Sequence, residues 1–257
     1  MARPPGGLEL DLPDTRLKPS LPRPVNTDRA SLQERLAHVR ARIEAAERRS
    51  GRPPGAVTLV GVVKTQPVEA IAEVVALGLR DLGENRVQEA AEHQQAVSRT
   101  AARWHLIGHL QRNKVAKALP MFDLVHGIDD AELGEAVARR AALAGGLSPV
   151  LVEVNVSGEG SKFGVEPDAL PALLERIAAL DGIELRGLMT VGAPVSDPAE
   201  ARGGFARLRG LREDGERRLG RALPELSMGM SGDFEVAVEE GATLVRVGSA
   251  IFGERRV

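Results

Sequence analysis

Lys64 is the residue of this 257-residue chain with the best setting for covalent chemistry. It follows the run TLVGVV, which starts at Thr58, and Thr65-Gln66-Pro67 closes the segment. A short apolar, β-branched run bounded by turn residues predicts a strand buried on both faces. On a period of two, Val60, Val62 and Lys64 share one face, and Leu59, Gly61 and Val63 the other. An ammonium held at a strand end among apolar neighbours loses solvation. Its pKa falls, and the free amine can attack a carbonyl. A lysine that simply extends to water is the competing reading at this one position.

The other polar residues group at the predicted ends of later strands. They are Asn85, His105 with His109, Asn155 with Ser157, Met189, Ser227 to Ser231, and Arg246 to Ser249. Ser227-Met228-Gly229-Met230-Ser231 and Val247-Gly248-Ser249 are small, polar and followed by helical stretches. Such loops present free backbone N–H groups and a positive helix end, which suits a phosphate, although their glycines also suit plain tight turns. His105 and His109 have the i,i+4 spacing of a zinc pair on a helix, but Gly108 and the β-like residues before it oppose a helix there. No HExxH frame exists, and the chain has no Cys, so no metal site is expected. His105 reads instead as a polar group lining a barrel mouth.

The elements that must position these residues repeat along the chain. Asn26, Thr27 and Asp28 offer caps for a helix running to about Arg49, with Leu32, Leu36, Val39 and Ile43 as its apolar stripe. Strands are predicted at Thr58–Lys64, Asp81–Asn85, Arg103–Gly108, Leu124–Ile128, Val150–Val156, Glu184–Thr190, Glu225–Gly229 and Leu244–Ser249, with helices between them. Eight strands alternating with helices predict a single (β/α)8 TIM barrel of class α/β. A doubly wound open sheet is the runner-up, but it would carry a Gly-rich dinucleotide loop where this chain reads KTQP. The final helix is nearly missing, so the Asp28–Arg49 helix is expected to cover the surface it leaves. Residues 1–26 carry six prolines among Gly and charges and read as a disordered or loosely packed extension; residues 27–257 form the barrel domain.

In a barrel of this kind the first and eighth strands are neighbours and the site lies at the strands' C-terminal ends, which puts Lys64 beside the two phosphate-type loops. Pyridoxal 5′-phosphate carries its aldehyde and its phosphate arm on adjacent ring carbons and matches a Schiff-base lysine next to a phosphate cradle. A lysine aldolase acting on a sugar phosphate uses similar parts and stays open at this point. A net charge of -2 gives no footprint for nucleic acid or an anionic membrane, and no apolar run reaches a bilayer span. With no secretory-type segment and no Cys, a cytoplasmic location is expected.

The motifs VVKTQP, LGENRVQE, WHLIGHLQRNK, VNVSGEGSKFGV, LRGLMTVGAP and LSMGMSGDFEVAVEEGATLVRVGSAIFG occur in that order from about Asp28 to Gly253. Together they resemble the pyridoxal phosphate homeostasis proteins, single-domain relatives of the alanine racemase barrel. The resemblance implies Lys64 as the Schiff-base lysine, Ser227, Gly229, Gly248 and Ser249 around the phosphate, Arg246 facing the pyridine nitrogen, and Asn85 and Met189 flanking the ring. An arginine there disfavours protonation of the ring nitrogen and weakens the electron sink that carbanion chemistry needs. Alanine racemases add a tyrosine on the opposite face from a second domain or partner, and this chain has no Tyr. The expected role is therefore cofactor binding and delivery without turnover, with apo-forms of cofactor-dependent enzymes as possible partners, no nucleic acid or membrane partner, and a monomeric state. An alanine racemase-type enzyme is the alternative. Lys162, in the GSKFG loop, is a candidate transient acceptor during release.

Overall fold

A computed structural model describes, besides Met1, residues 27–157, 163–192 and 197–253. The extension expected over residues 1–26, Met1 aside, and the Lys162 proposal lie outside the described residues.

Eight parallel strands close on themselves in chain order: β1 (Thr58–Val62), β2 (Asp81–Glu84), β3 (Arg103–Leu106), β4 (Leu124–Ile128), β5 (Ser148–Glu153), β6 (Ile183–Met189), β7 (Glu225–Ser227) and β8 (Leu244–Val247). Closure is made by β1 against β8, with Gly61 level with Val247. Helix α1 (Thr27–Arg49) precedes the barrel. Its outer ring is α2 (Val68–Ala76), α3 (Val87–Ala96), α4 (Val115–Ala118), α5 (Ala131–Leu143), α6 (Leu170–Ala178), α7 (Arg202–Leu219), α8 (Phe234–Glu239) and the single turn α9 (Ser249–Phe252).

Alternation along the strands sorts side chains into two cores. Val60, Leu124, Leu151, Met189 and Leu244 meet inside the barrel. Val63 and the sequence neighbours Val125, Val150, Leu188 and Val245 join the larger core between strands and helices. The predicted α1 stripe is buried, with Leu36 1% and Val39 0% exposed. It lies over α8 and α9, as the short last helix requires. The Arg42 guanidinium sits 4.5 Å over the Phe234 ring and 2.6 Å from Glu235, while Arg35 Nε donates to Ile251 O at 2.6 Å.

Several strands stop short of their predicted C-terminal ends. β1 ends at Val62 rather than Lys64, β3 at Leu106, β5 at Glu153, β7 at Ser227 and β8 at Val247. Tilted strands share a ladder only where their staggered lengths overlap, and beyond it the backbone turns outward to form the rim. No helix among the described residues is long and apolar enough to cross a membrane.

Candidate functional site

Lys64 occupies a turn on the rim just beyond β1. The Val63 N–H donates to Gly83 O at 3.0 Å, and the Gln66 N–H closes the turn onto Val63 O at 3.0 Å. Thr65, at the third position of that turn, has φ +62. A β-branched residue in the left-handed region costs on the order of 1–3 kcal/mol, and such strain collects at functional sites. Its N–H donates to Glu89 Oε2 in the first turn of α3 at 3.3 Å. Pro67 then opens α2 with φ -67. Lys64 is half-buried.

Beside this turn lie the loops after β7 and β8. The Arg246 N–H donates to Gly229 O at 3.0 Å, which ties the loop after β7 to β8. Ser231 Oγ accepts the Gly248 and Ala250 N–H groups at 3.2 and 3.3 Å. Gly229 has φ +92, and a Cβ there would come within 2.5 Å of Ala237 Cβ. At Gly248 a Cβ would meet Val62 Cβ at 3.4 Å, so this loop packs directly on the end of β1, two residues before Lys64. Ser249 starts α9. Lys64, Gly229, Gly248 and Ser249 are thus gathered at the seam where the barrel closes. Asn85 is half-buried on the loop after β2, its backbone against Gly108. Met189 lies inside the barrel with Val60 and Leu244.

Ser227 and Arg246 point inward. Ser227 Oγ lies 2.9 Å from His126 Nδ1 and accepts Arg246 Nη1–H at 2.6 Å; Arg246 Nη2 donates to Thr190 O at 2.9 Å. The Ser227 hydroxyl expected on a phosphate is therefore engaged inside the barrel, and the hydroxyl lying against the Gly248 loop is that of Ser231. Arg246 is 4% exposed, and no described carboxylate stands within ion-pairing distance of it. Burial lowers its pKa to about 10, against the opposing charges of Glu153 and Asp233. Burial also raises Glu153 to about 7, with Asp129 adding to the effect and Arg246 opposing it.

The histidines fall differently from expectation. His105 does not line the mouth at the strands' C-terminal ends. It pairs in register with Leu124, the first residue of β4, and lies 3.0 Å from both Asp81 Oδ1 and His126 Nε2. His109 does reach the rim, 3.3 Å from Asp129 and stacked on Phe163 at 4.1 Å between centroids. Asn155 donates to Glu166 at 3.1 Å and accepts from Ser157 at 3.0 Å, which orders the loop after β5. Sequence reasoning missed Asp81, His126 and Glu153. Alternation was the available signal, because each sits on the inward parity of a short strand beside an apolar inward residue.

The chemistry of the donor set fits a phosphorylated ring compound: an amine on the rim, loop N–H groups and hydroxyls beside it, and beneath them a buried cation with no ion-pair partner among the described residues. Comparison with known proteins bears on the same residues. Residues 35–256 match the family model of the alanine racemase N-terminal domain. The pyridoxal phosphate homeostasis protein of Aquifex aeolicus is 44% identical over 87% of this chain and 98% of its own length. That of Escherichia coli K12 is 40% identical over 86% and 95%. The structure of PipY of Synechococcus elongatus with pyridoxal phosphate bound superimposes with a TM-score of 0.76 at 37% identity, covering 86% of this chain and 100% of PipY. Alanine racemase of Clostridium difficile shares the barrel alone, at 15% identity and a TM-score of 0.70 over 58% of its chain.

Proposed function

Since the chain belongs to the pyridoxal phosphate homeostasis protein family, built on the alanine racemase N-terminal barrel, we propose that it binds pyridoxal 5′-phosphate through Lys64 and holds it for release, without turning over amino acids. The bound compound would contribute an aldehyde that condenses with a primary amine, releasing water, and a phosphate on the neighbouring ring carbon. The observation carrying this reading is the packing of the Gly248 loop on Val62, which sets an anion cradle beside the Lys64 turn. In it, Gly229, Ser231, Gly248 and Ser249 hold the phosphate, and Asn85 and Met189 bound the ring. Arg246 donates toward the ring nitrogen, with Ser227 serving Arg246 rather than the phosphate.

Two features favour holding over turnover. A buried permanent cation opposite the ring nitrogen opposes its protonation and so limits carbanion stabilisation. A two-base racemase also needs a proton donor on the face away from the lysine, and the chain has no Tyr. The racemase-type alternative rests on His109, whose pairing with Asp129 on the rim makes it the available acid/base. The purified protein is expected to show a visible absorption band that disappears in Lys64→Ala; a mutant spectrum identical to the parent's would remove Lys64 from the site. Single-enantiomer alanine or serine in deuterated water should exchange its α-hydrogen no faster than with free cofactor. Protein-dependent exchange would establish the racemase reading.

A further inference from the structure

Below the rim, five strands contribute polar side chains to one continuous chain of hydrogen bonds. It runs from Asp81 through His105, His126 and Ser227 to Arg246, with links of 3.0, 3.0, 2.9 and 2.6 Å. All five are buried, His126 and Ser227 completely. At the Asp81 end the chain meets a cavity of about 200 Å³ at the strands' N-terminal mouth, where Arg103 also pairs with Asp81 at 2.8 Å. The Arg246 end lies under the proposed ring site.

The two ends determine the direction of the two terminal links. A guanidinium only donates, so Ser227 Oγ accepts from Arg246; a carboxylate only accepts, so His105 Nε2 carries the hydrogen toward Asp81. Asp81 stays ionised: burial alone would raise its pKa, but hydrogen bonds from His105 and Arg103 hold it below the usual range. His126, fully buried and beside His105 and Arg246, has its pKa pushed far down and is neutral. In the arrangement that matches every atom, His105 Nδ1 accepts from His126 Nε2–H, and His126 Nδ1 accepts the Ser227 hydroxyl hydrogen. No polar atom along the path is left unmatched. A cationic His105 would reverse both central links and leave the Ser227 hydrogen without its acceptor.

We infer that Asp81, His105 and His126 are positioning residues for Arg246: a one-directional hydrogen-bond chain, anchored on a carboxylate at the opposite mouth of the barrel, keeps a Ser227 lone pair turned toward the guanidinium and so fixes the donor that faces the cofactor ring. The cofactor part of this inference rests on the proposed function; the chain itself does not.

The test separates the two. In 15N-labelled protein as purified, the histidine ring correlations should show both His105 and His126 neutral with hydrogen on Nε2. A cation or the other tautomer at either residue overturns the inference. His126→Leu cuts the chain, whereas His126→Gln preserves its direction, because the amide oxygen accepts from Ser227 and the amide N–H donates to His105. In the Leu variant the Arg246 guanidinium hydrogens should exchange about tenfold faster, the equivalent of roughly 1.4 kcal/mol or one ordinary hydrogen bond. The absorption maximum of pyridoxal 5′-phosphate-saturated protein should also move, and the Gln variant should hold both values near those of the parent. Leu and Gln variants that behave alike, or a Leu variant with unchanged exchange, refute the inference. Should His126→Leu fail to fold, the parent's tautomers and the pair His105→Leu and His105→Gln decide the question. If the protein takes up no cofactor, the proposed function fails, while tautomers and exchange still decide the chain.

Discussion

Glu153→Gln should raise stability by an amount that depends on pH. The Glu153 carboxyl is 5% exposed inside the barrel, and burial lifts its pKa from 4.5 to about 7. The folded protein therefore keeps this proton to a higher pH than the unfolded chain does. Below about pH 4.5 both states are protonated and there is no penalty. Between 4.5 and about 7 only the unfolded chain ionises, so stability falls as pH rises; above 7 the loss is complete. At about 1.4 kcal/mol per pH unit, that interval corresponds to roughly 3 kcal/mol. Glutamine cannot ionise, so the variant escapes the loss, less the part returned because ionised Glu153 supports the Arg246 charge. Burying the amide carries its own cost, but that is equal at every pH and displaces the whole curve without tilting it. Urea unfolding of parent and variant at intervals from pH 4.5 to 8 should show the difference growing by about 2–3 kcal/mol in favour of the variant. A difference that is flat with pH would refute the claim that burial raises the Glu153 pKa in the folded protein.

Three further substitutions test the frame that holds the site. Leu36→Ala should cost about 2–5 kcal/mol in denaturant unfolding, because this 1%-exposed side chain seals α1 onto the barrel; a loss under ~1 kcal/mol would mean α1 is not part of the core. Gly187→Ala places a Cβ 1.8 Å from Glu225 O between β6 and β7, so it should abolish folded expression or lower the melting temperature by more than about 10 °C, and a parent-like melt would contradict that strand register. Asp130→Ala removes the carboxylate that accepts the Leu133 N–H at 2.6 Å at the start of α5, for an expected loss of about 1 kcal/mol at pH 7; an unchanged unfolding midpoint would deny the cap.

The order and type of the elements, the barrel class and the neighbourhood of Lys64 and the Gly248–Ser249 loop were legible in the chain itself. Each rests on local information: a period of two in the strands, a stripe at helical spacing in α1, turn residues at the strand ends, and the rule that the first and last strands of a closed barrel are neighbours. Strand ends were less legible, and so Lys64 was assigned to β1 when it lies in the turn beyond it, because a ladder stops where the neighbouring strand stops pairing. What only the tertiary structure decided is which inward residues stand at the same height. His126 and Ser227 are 101 positions apart, and His105 belongs with them rather than with His109, four residues away. Alternation gives the side of the sheet a residue faces; the stagger among eight strands sets its depth in the barrel. That depth turns the Ser227 hydroxyl from the anticipated phosphate to Arg246.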